Sequence, residues 1–345
     1  MTARKHRRIV VCEDSRTYAA VLSRALQHDG DLEVVGVFPN AEEAITALPR
    51  LEPDLVTMDI ELPGMSGLEA VEQLMSTCPL PILVLSSHVN VELAATTLAA
   101  GALDAVRKDE LDLLDPNGAD AVALRRRVRV LAGARVIKHP RAHLRGSAAA
   151  AGSITRSASA IGVVASTGGP PALSAVLGGL PARFSIPVLV VQHIAHGFTA
   201  GLARWLDQTV PLPVALATEG QRLAPGIWIA PEAAHLVVLP GGRLALDGRS
   251  PAAGHRPSGD VLLTSMAESL GRLAAGVVLT GMGRDGALGL GRIARAGGLT
   301  IAQDEATSAV FGMPRAAAEA GAEAVLPLGN VAGRLLALRP PEEPA

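Results

Sequence analysis

The sequence predicts an α/β protein made of two doubly wound parallel-sheet domains, and three observations carry that reading. Short continuous apolar runs alternate, twice along the chain, with amphipathic segments of helical period, so strands and helices follow one another in βα order and right-handed crossovers pair the strands in parallel. The length of 345 residues is about two domains at roughly 150 residues each. Hydrophobic residues are 49% of the chain and charged residues 19%, while aromatics are only 2% beside 36 Gly and 24 Pro, so the cores must be built from Val, Leu, Ile and Ala between tight turns.

The elements follow in order. In a first domain, residues 1–131, strands are expected at 8–12, 32–37, 55–58, 82–85 and 105–106, and helices near 17–27, 41–48, 67–75, 93–100 and 119–130. Residues 132–157, rich in Arg, His, Ala, Gly and Ser and without periodicity, read as a linker with a solvated charged face. A second domain, 158–338, resumes the alternation. Its buried strands are expected just before Ser166, at 188–192 before His193, and at 277–280 before a glycine-rich loop. The tail, 339–345, is proline- and glutamate-rich and expected to fray.

Composition excludes several classes of function. With 31 Lys+Arg against 33 Asp+Glu the formal net charge is -2, which argues against a nucleic-acid binder, as does the scarcity of stacking aromatics. Cys12 and Cys78 match no metal spacing and cannot form a disulfide framework, which points to a reducing compartment. No apolar run reaches the ~18 residues of a membrane span. The basic start Arg4–Arg8 is followed by an apolar stretch that breaks at Glu13-Asp14, too soon for a signal peptide. A cytoplasmic protein is expected, at most peripheral to membrane receptors.

In a parallel sheet the carboxyl ends of the strands share one edge, and ligands bind there. The first domain delivers Glu13 and Asp14, Asp59, Ser86 and Lys108 to that edge. Each acid alone could be a helix cap or turn residue. Three together repel unless a hard cation such as Mg²⁺ neutralises them. The set fits phosphoryl transfer onto Asp59, with Ser86 and Lys108 on the new phosphoryl oxygens and Glu13, Asp14 and Asp59 on the metal.

The segments 10–15, 58–67, 85–87 and Lys108 resemble a response-regulator receiver domain over roughly residues 6–130. The resemblance implies a flavodoxin-like fold and phosphorylation of Asp59 by the phosphohistidine of a sensor kinase. Asp109 stands where that family usually has proline, and Ala105 where an aromatic switch residue is common. Both departures bear on signal relay rather than on phosphorylation.

In the second domain Ser166 follows an apolar strand and precedes Gly168-Gly169-Pro170-Pro171, where it could be a helix cap, part of a phosphate cradle, or a nucleophile. The G-x-S-x-G elbow is missing, since Val164 sits two before the serine. His193 alone reads as a structural histidine, and Asp285, beside Gly286, as a turn residue. If their three strands are parallel, however, Ser166, His193 and Asp285 meet on one edge. Those types support acyl transfer, with His193 as base, Asp285 fixing its tautomer, and backbone N–H groups of the 281–283 loop and beside Ser166 as candidate oxyanion donors.

The segments 165–170, 191–194, 255–258, 279–286, 302–307 and 310–314, in this order, resemble the catalytic domain of chemotaxis protein-glutamate methylesterases over about 158–335. The resemblance implies a Rossmann-like catalytic domain with an active site of Ser166, Thr167, His193, Met282 and Asp285, the Met282 backbone aiding the oxyanion, and no cofactor for the ester chemistry. It leaves the 255–258 segment either structural or substrate-facing. Together the two resemblances imply a phosphorylation-regulated hydrolase that demethylates glutamates, and can deamidate glutamines, on chemoreceptors. The domain order suggests that the receiver masks the active-site edge until Asp59 is phosphorylated. Two rivals are a phosphorylation-gated binding module and a hydrolase of another ester.

Overall fold

The computed structural model describes residues 6–87, 91–136, 156–252 and 254–341, and the chain divides into two compact units, 1–138 and 139–345. Most of the segment read as a linker, and the last residues of the tail, lie outside the described residues.

The first unit runs β1 (Arg7–Cys12), α1 (Arg16–Gln27), β2 (Leu32–Phe38), α2 (Ala41–Leu51), β3 (Leu55–Asp59), α3 (Gly67–Thr77), β4 (Ile82–Ser86), α4 (Val91–Ala99), β5 (Asp104–Arg107) and α5 (Ala119–Leu131). The sheet is parallel throughout, in the order β2-β1-β3-β4-β5. The central strands β3 and β4 are wholly buried, which is why they read as mostly apolar runs, broken in β3 by the buried Thr57, rather than as alternating ones. The order reverses direction beside β1, the switch point at which such sheets bind ligands.

The second unit runs β6 (Arg156–Ser157), β7 (Ala160–Ala165), α6 (Gly169–Gly178), β8 (Val188–Gln192), α7 (Thr199–Thr209), β9 (Val214–Leu216), β10 (Ile227–Ile229), β11 (His235–Leu239), β12 (Arg243–Asp247), α8 (Gly259–Leu270), β13 (Ala274–Val278), α9 (Ala287–Arg295), β14 (Leu299–Gln303), α10 (Met313–Glu319), β15 (Ala324–Leu326), α11 (Leu328–Leu336) and β16 (Leu338–Arg339). Seven strands form a parallel sheet in the order β15-β14-β13-β7-β8-β10-β9. Because β7 lies between β13 and β8, and all three run parallel, the chain leaves all three at one edge. Arg156–Ser157 pair in parallel with Leu338–Arg339, tying the start of this unit to its end.

The expected alternation of strands and helices breaks between residues 214 and 247. No helix joins β9 to β10, and β11 and β12 form an antiparallel hairpin. Its turn carries Gly241 and Gly242, both at positive φ, the conformation a tight hairpin turn demands. The cores are aliphatic, as the composition requires; Phe184 and Phe198 are their aromatic members among the described residues. No described helix is long and apolar enough to cross a membrane.

Gly67, the first residue of α3, touches the backbone that carries Asp59: a Cβ there would lie 2.5 Å from the Asp59 carbonyl oxygen and 2.7 Å from Ile60 Cα. Backbone cannot yield as a flexible side chain can. Gly67→Ala is expected to destabilise the first unit by about 1–3 kcal/mol in urea unfolding; an unchanged transition would contradict this packing.

Candidate active site and phosphoacceptor site

At the carboxyl edge of the first sheet, oxygens of Glu13, Asp14 and Asp59 lie within 4.8 Å of one another. Glu13 and Asp59 are buried, whereas Asp14 is exposed. Lys108 Nζ, just past β5, lies 2.5 Å from Asp59 Oδ2 and 2.6 Å from Glu13 Oε2. The remaining oxygens are also engaged, Asp59 Oδ1 by the Glu61 amide at 3.1 Å and Glu13 Oε1 by the Ser15 amide at 3.2 Å.

The electrostatics are those of crowded acids. Burial pushes the Glu13 carboxyl up and the Asp59 charge adds to this, with Lys108 only partly offsetting them. Burial, then the same acids, also raises the Tyr18 hydroxyl, and holds the Cys12 thiol at about 12. Burial works against the Lys108 ammonium, but its hydrogen bonds to Asp59 and Glu13 raise it overall. A hard dication with oxygen ligands would relieve this repulsion, so the donor set suits Mg²⁺ held by Glu13, Asp14 and Asp59. Ser86 is buried at the end of β4, but its Oγ donates to the Ser87 carbonyl at 3.0 Å rather than to Asp59. The proline-replacing Asp109 pairs with the Arg107 guanidinium, which also reaches Glu110 at 3.0 Å. Ala105 is buried.

The second site is built around Asp285. Its Oδ2 accepts from His193 Nε2 at 2.8 Å and from the Gly259 amide at 2.6 Å. Its Oδ1 accepts from Ser258 Oγ at 2.7 Å and from the Asp260 amide at 3.0 Å. The carboxylate therefore sits on the N-terminus of α8, where unpaired amides and the helix dipole favour an anion. Burial alone would raise its pKa; the hydrogen bond and charge of His193, with the Asp260 amide and the Ser258 hydroxyl, hold it at about 2. An ionised carboxylate only accepts, so Nε2 carries the imidazole proton and Nδ1 carries the lone pair. That Nδ1 is buried and has no hydrogen-bond partner among the described residues.

Ser166 leaves β7 and His193 leaves β8, and one side-chain amide joins them. Gln192 Nε2 donates to both the Ser166 and His193 carbonyls at 2.8 Å. No hydrogen bond links the Ser166 hydroxyl to His193 in this resting arrangement. Of the expected oxyanion donors, two are already spent: the Ser166 amide bonds the Thr280 carbonyl and the Gly281 amide the Val310 carbonyl. The Met282 amide is not so engaged among the described residues, and its loop lies against Ser166, since a Cβ on Gly281 would sit 2.7 Å from Ser166 Cβ. Thr167 is buried, its carbonyl accepting from Thr280 Oγ1 at 3.0 Å.

Several supporting residues escaped sequence reasoning. Ser258, Gly259 and Asp260 orient Asp285, and the Ser258 amide in turn donates to His235 Nδ1 at 3.2 Å. Gln303 Oε1 accepts from the Thr280 amide at 2.8 Å and its Nε2 donates to the Thr307 carbonyl at 2.7 Å, bracing the loop behind Ser166. Their motifs were visible, but their partners lie tens of residues away.

The CheB methylesterase family matches residues 161–335, and the response regulator receiver domain family matches residues 9–114. The chain is 44% identical over 324 residues to "Protein-glutamate methylesterase/protein-glutamine glutaminase 3" of Myxococcus xanthus (strain DK1622), covering 92% of this chain and 89% of that protein. It is also 44% identical over 328 residues to "Protein-glutamate methylesterase/protein-glutamine glutaminase 2" of Anaeromyxobacter dehalogenans (strain 2CP-C), covering 94% of each. Among solved structures, the Thermotoga maritima CheB methylesterase catalytic domain aligns with 52% of this chain and 98% of its own, at 38% identity and a TM-score of 0.50.

Two outcomes follow from these geometries. The folded pKa of Asp285 is depressed, so its stabilisation is complete above the unfolded value near ~4 and is lost as pH falls toward about 2. The stability gap between wild type and Asp285→Asn, about 1–3 kcal/mol at neutral pH, is expected to narrow across that window in urea titrations; a gap independent of pH would contradict the charge argument. Millimolar Mg²⁺ is expected to raise the melting temperature of the wild-type first unit, and to do so far less in Asp59→Ala.

Proposed function

The chain belongs to the CheB methylesterase family, with a response-regulator receiver domain ahead of the catalytic domain, and from this premise we propose which residues carry its chemistry. It is a phosphorylation-regulated hydrolase of protein-glutamate methyl esters. The observation that carries the assignment is the hydrogen bond from His193 Nε2 to an Asp285 carboxylate held ionised by α8. It leaves Nδ1 as the basic nitrogen facing the reaction.

Ser166 Oγ attacks the ester carbonyl carbon, and its proton passes to His193 Nδ1. Asp285 stabilises the resulting imidazolium. The oxyanion is received by the Met282 amide, with the Thr167 segment forming the adjoining wall. Collapse expels the methoxy group, which takes the proton from His193 and departs as methanol, leaving an acyl-Ser166. Water then attacks the acyl carbon, gives its proton to His193, and releases the glutamate carboxylate while Ser166 recovers its hydrogen. A glutamine amide follows the same route, with ammonia leaving. No cofactor takes part in this sequence.

In the receiver domain, Asp59 is the phosphoacceptor. Mg²⁺ on Glu13, Asp14 and Asp59 supplies charge neutralisation when bound. Lys108 and Ser86 are the partners of the new phosphoryl oxygens; for Ser86 this requires its hydroxyl to turn away from the Ser87 carbonyl. The phosphodonor is a sensor histidine kinase, the substrates are methyl-accepting chemoreceptors, and the compartment is the cytoplasm.

Methanol release from methylated chemoreceptor membranes tests the reading, with and without a small phosphodonor and Mg²⁺. Ser166→Ala is expected to lose about 10³-fold or more in turnover with its fold intact, whereas Asp59→Asn keeps basal release and loses the response to donor. Wild-type release that does not need Ser166 would remove it as nucleophile.

A further inference from the structure

His255, in the loop ahead of α8, lies face to face with His193: the ring centroids are 4.0 Å apart and the planes within 2° of parallel. No step of the reaction above uses this residue. The His193 ring is anchored by hydrogen bonding at Nε2 alone, because Nδ1 has no partner among the described residues. With Cγ held by the chain, one such bond leaves the ring free to turn about the line from Cγ to Nε2. Swinging carries Nδ1 off the line to Ser166, and small misplacements of a catalytic group cost rate steeply.

A flat ring on one face removes that freedom. Imidazole protons and lone pairs lie in the ring plane, so face-stacked rings exchange no proton, and His255 cannot be a relay for His193. What it offers is a wall, and a π face against the positive charge that spreads over His193 when it takes the serine proton. The same short segment supplies Ser258, which donates to Asp285 at 2.7 Å. Wall and carboxylate anchor are therefore set by four consecutive residues, 255–258.

We propose that His255 is a positioning residue for the acyl transfer, its ring face holding the His193 imidazole so that Nδ1 addresses Ser166. The proposal rests on the Ser166, His193 and Asp285 reading above.

The test is kcat and KM for methanol release from methylated receptor membranes by the full chain with phosphodonor, comparing wild type, His255→Ala and His255→Phe, with Ser166→Ala as blank. Phenylalanine keeps the flat face and discards the nitrogens. His255→Ala is expected to lose about tenfold in kcat with KM within about twofold of wild type, and His255→Phe to recover most of the loss. An unchanged kcat in His255→Ala overturns the proposal. So does a rise in KM alone, which would make His255 a substrate contact, or a His255→Phe as slow as the alanine variant. Should His255→Ala lose its thermal transition, His255→Phe carries the test: near wild-type kcat upholds the wall, and a tenfold loss with the fold intact overturns it. Failure of the wild type to show Ser166-dependent release would instead overturn the functional reading, and this inference with it.

Discussion

The proposed chemistry of the second unit depends on Asp285 remaining ionised while buried. A carboxylate 5% exposed would ordinarily shed its charge by taking up a proton. Here it does not, because α8 presents two amides and the Ser258 hydroxyl, and His193 supplies a fourth donor. That charge fixes the tautomer of His193, with the proton on Nε2 and the lone pair on Nδ1, and the proposed deprotonation of Ser166 rests on it. The sheet contributes parallel order, placing the ends of β7, β8 and β13 together; the helix contributes the electrostatics.

The first unit solves a related problem in the opposite way. Its acids are crowded, Glu13 and Asp59 each receive a single backbone amide, and Lys108 bridges the two. Burial, with the Asp59 charge added to it, raises the Glu13 carboxyl where that of Asp285 is depressed. A site of this kind is short of positive charge and therefore ready for a cation. A site like that of Asp285 is already satisfied and serves to hold one neighbour still.

Much of this was legible in the sequence wherever burial leaves a one-dimensional trace. The strands β3, β4, β7 and β8 read as mostly apolar runs because both sheet faces are covered, and the residue after each run lands on the functional edge. Residues 214–247 depart from the expected alternation because β9 and β10 are only three residues each and their connection holds no helix. The local mark of the hairpin is Gly241-Gly242 between two short apolar-rich runs. The role of the 255–258 segment leaves no trace in its own sequence, since the Asp285 it grips lies 27 residues beyond Ser258. Likewise the commitment of the Gly281 amide to the Val310 carbonyl, which removes it from the expected oxyanion donors, is set by chain packing and leaves no local mark.

The central claim, that an Asp285-anchored His193 activates Ser166, is tested most directly by covalent trapping. A fluorophosphonate probe reacts fastest with a serine whose proton is being removed, and peptide mass mapping identifies the residue labelled. The account predicts a single adduct on Ser166 in the wild-type chain, formed about 10²-fold or more slowly when Asp285 is replaced by Asn. Labelling at another serine, or an equal rate in Asp285→Asn, would contradict it.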